Sequence, residues 1–171
     1  MDAKLDNYLV EKYPKIFVNR YGDKMTTSMC FGFEHNDGWF WLIDQLCGSI
    51  QNYIDNNEYR SKDAQISQVV ADQVKEKFGG LRFYHTGGDT YIEGMVSIAE
   101  NMSYNICEFC GSTEDVGRTS MPWIFTICKE CYDTSDQRIS SLKWKVNEDK
   151  KTEICKELRK IKLDKLKQNE K

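Results

Sequence analysis

Long apolar runs are missing from this chain of 171 residues, and so are the motifs that usually mark an enzyme. No stretch approaches the roughly 18 consecutive apolar residues that a membrane-spanning helix needs. The start, MDAKLDNYLVEKY, lacks the basic, apolar, small-residue order of a secretion signal. These absences predict a cytoplasmic protein. Histidine is scarce, with two residues in all, and no metal-hydrolase spacing, nucleophile elbow, phosphate-binding glycine loop or dinucleotide fingerprint is present. Glu34, His35, Asp37, His85 and Asp89 are of types that can transfer protons near turns. Asp37 nevertheless has ordinary work as a helix cap, and His85 as a strand end. No catalytic residue is assigned, and the expectation is a protein that acts by binding.

Positive charge is in short supply over most of the length. The formal net charge is -3, but residues 147–171 hold nine Lys and Arg against six Asp and Glu, which leaves residues 1–146 at -6. An acidic body does not coat phosphate backbone in bulk, although it is compatible with a local basic face.

Cysteine, by contrast, is plentiful. Seven is an odd number, and thiols in a reducing compartment do not form a disulfide framework. In CEFCGSTEDVGRTSMPWIFTICKEC, the pairs Cys107/Cys110 and Cys128/Cys131 stand either side of seventeen residues without cysteine. That separation lies inside the zinc spacing window, so one zinc ion held by Cys107, Cys110, Cys128 and Cys131 is expected. A redox C-x-x-C pair or unrelated buried thiols are the alternatives. Four thiolates close the tetrahedron and leave no position for substrate water, which makes the ion structural. Gly111 permits the tight turn after the first pair, the middle can form a hairpin, and the second pair precedes a helical pattern. A treble-clef finger is favoured over a zinc ribbon. Cys30, Cys47 and Cys155 read as core or surface residues.

The remaining elements follow from periodicity. Asp2 to Glu11 predicts a short helix with Leu5, Tyr8 and Leu9 inward, ended by Pro14. Asp37 caps a second helix with Trp39, Leu42, Ile43, Leu46, Ile50, Tyr53 and Ile54 on its buried face, and 56–63 reads as a polar loop. Gly79-Gly80 predicts a hairpin turn, after which Leu81, Phe83 and His85 alternate with Arg82 and Tyr84. Thr90 and Glu93 form a capping box for a helix carrying Ile92, Met95, Val96, Ala99 and Met102. Thr134 and Gln137 open a helix through Ile139, Leu142 and Val146. A further pattern at Ile154, Leu158 and Ile161, with Leu163 and Leu166, extends it. Unbroken, this last helix would run for about 50 Å. The predicted class is α+β, with helices on a small β-hairpin or sheet. Residues 1–105 form the body, 106–146 the finger with its following helix, and 147–171 a charged helical tail. The tail suits docking on its own body, binding to a protein, or pairing with a second copy to make a homodimer. Lys160, Lys162, Lys165 and Lys167 make nucleic-acid contact a weaker reading beside Glu153, Glu157 and Asp164.

The runs FGFEHNDGWFWLIDQLC, KEKFGGLRFYHTGGDTYIEGM and AENMSYNICEFCG resemble a widespread group of small bacterial and phage proteins. They share an EKFGGLRFY segment followed by a C-x-x-C knuckle, and the likeness covers roughly residues 13–131. Many members of that group have a cysteine and a glycine before DGW, where this chain has His35 and Asn36. The resemblance brings no activity with it. It implies a self-contained accessory protein of mobile genetic settings that binds a host or bacterial protein, including as an inhibitor of host defence, and that works in the host cytoplasm if phage-encoded. The alternative is a nucleotide-like ligand, held by Arg82, Tyr84 and His85 with the backbone around Gly87 and Gly88. In that case the protein sequesters a nucleotide signal. A general nucleic-acid binder or a hydrolase ranks below both.

Overall fold

A computed structural model describes residues 1–60 and 66–147. Helix α1 spans Ala3–Lys12, with the Asp2 carboxylate accepting the Lys4 N–H at 2.8 Å. Leu9 is fully buried, Leu5 is half-buried, and Tyr8 is exposed. The second inward side chain is Asp6, because Arg20 reaches it with two nitrogens at 2.9 Å and neutralises the buried charge. A 3-10 turn at Asp37–Trp39 leads into α2, Phe40–Arg60. Asp37 does not cap α2; its carboxylate accepts the Asp2 N–H at 2.6 Å and ties the two helix starts together. Nor does α2 stop near Asn56. The Asn56 and Asn57 side chains donate to the carbonyls of Asn52 and Tyr53 at 2.9 and 2.8 Å, so these polar residues bond within the helix and it continues.

Strands β1 (Phe33–Glu34), β2 (Val70–Lys77) and β3 (Gly80–Thr86) form one sheet in the order β1-β2-β3, parallel then antiparallel. The β2–β3 turn residues are Phe78 and Gly79, at φ 54° and 76°, while Gly80 already pairs with Lys77. The turn therefore lies one residue earlier than the Gly-Gly pair suggests. Helix α3, Thr90–Ser103, is capped by Asp89 and not by Thr90; the Asp89 carboxylate accepts the N–H groups of Tyr91 and Ile92 at 3.0 and 3.1 Å. Val74, Leu81 and Phe83 point into a core with Ile43, Ile50 and Ile54 of α2 and Ile92 and Val96 of α3. The alternate residues of the hairpin, Lys75, Arg82 and Tyr84, share its other face.

Strands β4 (Val116–Thr119), β5 (Thr126–Cys128) and β6 (Trp144–Val146) form a second antiparallel sheet in the order β5-β4-β6. Between β5 and β6 lie two short helices, α4 (Lys129–Asp133) and α5 (Gln137–Ser140). The helix expected from Thr134 through Val146 is thus four residues of α5, capped by Asp136, followed by a strand. Strand pairing wins because β4 has an open edge there. Trp144 also gains a partner, its indole N–H donating to the Ile127 carbonyl at 3.0 Å while its ring stacks on Tyr132. The expectations for Cys155, for the Ile154 to Leu166 pattern and for a C-terminal helix fall outside the described residues.

Candidate metal centre

Each C-x-x-C pair is shaped by the backbone that carries it. After Cys107, the chain closes a turn in which Gly111, at φ 78°, donates its N–H to the Cys107 carbonyl at 2.9 Å. Cys128 ends β5 and serves as N-cap of α4, its sulfur accepting the Cys131 N–H at 3.4 Å, so Cys131 stands on the first turn of that helix. The four sulfurs come within 4.8 Å of one another, and Cys110 and Cys128 Sγ are 3.7 Å apart. A tetrahedral ion with metal–sulfur bonds of about 2.3 Å needs sulfur–sulfur edges of about 3.8 Å. The arrangement fits one metal ion. Burial and the neighbouring thiols push the Cys131 thiol well up, which is the cost of gathering four ionisable sulfurs without a cation. Cys107 and Cys128 are buried and Cys110 is exposed, so the site sits at the surface of the small second core of Val116, Ile127, Phe109, Phe125 and Trp144. Cys30, whose thiol donates to the Thr27 carbonyl, and buried Cys47 stand apart from the cluster.

The first knuckle is clamped by the segment that opens α2. The Gly38 N–H donates to the Glu108 carbonyl at 2.8 Å and the Trp39 indole to the Ile106 carbonyl at 3.0 Å. A Cβ on Gly38 would lie 2.2 Å from the Cys107 oxygen and 2.5 Å from the Gly111 nitrogen. Only a hydrogen fits there. The Glu108 carboxyl, 2% exposed, accepts the Asn36 N–H and side-chain amide at 3.1 and 2.8 Å. Desolvation pushes its pKa up to about 7. Gly38 and Glu108 escape a reading by spacing alone. Their only signal in the sequence is a glycine at the start of an amphipathic helix and a charged residue between two cysteines of the cluster.

Of the residues singled out for proton transfer, His35 is 6% exposed and sits between Phe33 and Trp39, with Nδ1 2.7 Å from the Asn36 carbonyl. Burial lowers its pKa to about 4, so the ring is neutral at pH 7. Glu34 accepts from the Gln73 amide at 2.6 Å, and Asp89 is occupied as the α3 cap and by the Tyr53 hydroxyl at 3.0 Å. The candidate ligand residues divide between two faces. Arg82 and Tyr84 share one face of β3, whereas His85 alternates to the other, its side chain 4% exposed and 3.8 Å from Glu93. Arg82 donates to the Tyr104 hydroxyl at 2.8 Å. Gly87 and Gly88 take positive φ, and the Gly88 N–H donates to Ser67. The amides at the start of α3 are already held by Asp89. Among the described residues, no helix is long and apolar enough to cross a membrane. No protein-family model, curated protein or solved structure matches the chain.

Proposed function

We propose that this chain is a zinc-stabilised binding protein of treble-clef type, acting in the cytoplasm, whose partner is another protein. Knuckle, hairpin and a second pair carried by a helix is the treble-clef order, and a tetrahedral set of four thiolates is a zinc site before it is anything else. Its closed coordination gives the ion a structural role. The observation that carries the protein-directed reading is on α3. Ile92, Val96, Ala99 and Ser103 are its buried stripe, and Tyr91, Met95, Ile98 and Met102 repeat the same spacing one residue earlier. Tyr91, Ile98 and Met102 are 59%, 63% and 50% exposed. A second apolar stripe with two methionines suits the apolar face of a partner helix laid alongside it. The resemblance to phage and bacterial accessory proteins supports a host protein as that partner, with inhibition of a defence system as the biological consequence.

Native mass spectrometry of protein purified from cells tests both parts. One zinc ion per chain and a co-purifying protein in defined stoichiometry are expected, with that complex lost in Ile98→Glu/Met102→Glu. A zinc-loaded monomer, or a complex indifferent to the two glutamates, counts against the reading. A small additional mass released on denaturation points instead to the nucleotide-like ligand.

A further inference from the structure

The sheet faces away from the α3 stripe carry a different surface. Residues 1–146 hold fifteen Lys and Arg against twenty-one Asp and Glu, yet five of those fifteen cations gather on one continuous face that crosses both sheets. Register places Lys75 opposite Arg82, with Lys77 two residues along the same strand face. Arg118 of β4 reaches across to the hairpin, donating to the Phe78 carbonyl. Directly opposite Arg118 in β6 is exposed Lys145. Three acids share the area, Glu34 beside Lys75, Glu100 at 3.7 Å from Arg82, and Glu76, whose carboxylate accepts the Gly79 N–H at the turn. The face is therefore net positive on a body that is net negative.

Aromatic rings alternate with these cations. The Lys75 ammonium lies 5.6 Å from the Tyr84 ring centre and the Lys77 ammonium 5.7 Å from that of Phe78. The Tyr104 ring is held between the guanidinium groups of Arg82 and Arg118, at 5.9 and 5.1 Å. Tyr104 braces the two arginines, whereas Tyr84 and Phe78 are 41% and 63% exposed and offer free ring surface. Phe78 is an unexpected occupant of its place. A turn position at φ 54° favours Asn, Asp or Gly, and the exposed ring adds nothing to the core. A backbone position that resists a bulky side chain nevertheless presents an aromatic ring beside a lysine, at the edge of the basic face.

We propose that this face binds single-stranded nucleic acid. Lys75, Lys77, Arg118 and Lys145 supply contacts to phosphate, and unpaired bases stack on Tyr84 and Phe78. Flat rings interleaved with cations on a sheet are the general means of holding single strands without reading sequence, because every base has a π-face. In a duplex those faces are already stacked. An acidic peptide satisfies the cations but leaves the exposed rings without a role. The proposal stands apart from the α3 reading, since it uses another face and another class of partner.

Fluorescence anisotropy with the zinc-loaded full chain tests it, using labelled 12-mers of oligo-U and oligo-dT and a duplex of equal length at 50 and 200 mM salt. Both single strands are expected to outcompete the duplex, and a preference between them separates RNA from DNA as the natural source. Tyr84→Ala is expected to weaken binding by roughly 5- to 150-fold while Tyr84→Phe retains it. Lys75→Gln/Lys77→Gln is expected to lower the slope of log affinity against log salt by about 1.4. Tyr84 and Lys77 are exposed and Lys75 is half-buried, and thermal unfolding with zinc content establishes that each variant is folded. Equal affinity for the duplex overturns the proposal, as does wild-type affinity and slope in the Tyr84 and lysine variants, which moves binding to the basic residues after 147. Full displacement by oligoglutamate also overturns it, in favour of an acidic protein surface.

Discussion

Gly38 is where the absence of a side chain matters most. Its backbone lies against Cys107, Glu108 and Gly111, and a methyl group there meets backbone atoms that cannot swing aside. Gly38→Ala must push the DGW turn off the knuckle, breaking the bond to the Glu108 carbonyl and straining that of Trp39 to Ile106. A loss of about 2–4 kcal/mol is expected, in the range of overpacking combined with broken buried bonds. Because the same backbone orients Cys107 and Cys110, the variant should also release its metal faster. Urea unfolding together with zinc transfer to a chromophoric chelator measures both. A variant with wild-type stability and wild-type release would show that the knuckle does not depend on the clamp.

Elements here are set by their ends as much as by their periodicity. The pattern of α3 is visible in Ile92, Val96 and Ala99, but its start belongs to Asp89, which satisfies two orphan N–H groups and accepts the Tyr53 hydroxyl from α2. Asp89→Ala is expected to cost about 1–2 kcal/mol, the upper half of the usual range for a lost cap, because the bridge to α2 goes with it. Asp89→Asn should recover most of the loss, a comparison read directly from thermal unfolding. An alanine variant as stable as the wild type would mean that Thr90 or water takes over the cap. Strand β6 shows the opposite case, a segment whose apolar spacing suits a helix but which pairs along the open edge of β4. Helical spacing at Ile139, Leu142 and Val146 says nothing about that edge, because the edge is created by residues 116–128.

At the scale of the molecule, two cores meet at the first cysteine knuckle and again at the hairpin turn, where Arg118 and Thr126 donate to the carbonyls of Phe78 and Gly79. The larger core runs from Leu9 to Ala99, and the smaller one surrounds Cys107, Val116, Ile127 and Cys128. Structural zinc binding by such sites is worth about 10–16 kcal/mol, comparable with the 5–15 kcal/mol that stabilises a whole domain. Removing the ion with a strong chelator is therefore expected to unfold the smaller core first. Hydrogen exchange should show amide protection lost over residues 107–146 and retained in α2 and the β2–β3 hairpin. Uniform loss across both cores would mean that the clamp at Gly38 and Trp39 makes the molecule one cooperative unit. Unchanged protection would mean that the second core stands without metal.

Several features were already determined by the sequence. The cluster of four cysteines was legible in their spacing, since each C-x-x-C turn brings its own two sulfurs together and the hairpin between them returns the second pair to the first. The buried faces of α2, β3 and α3 follow from periods of 3.6 and 2, because each element had one apolar side to hide, although Met102, read onto the α3 face, is 50% exposed and Ser103 takes the buried place beside it. The glycine-rich turn after Lys77 was legible to within a residue. Other features depended on atoms far apart in the chain. Asp6 is buried because Arg20 meets it, Glu108 because Asn36 does, and Asp37 turned to the Asp2 amide in place of its own helix. Arg82 and Tyr84 meet Lys75 only because β2 pairs with β3. Lys145 joined them only when β6 returned to β4. Local period decides which side of an element is apolar, but a charge or a ring acquires its role from the partner that tertiary packing sets against it.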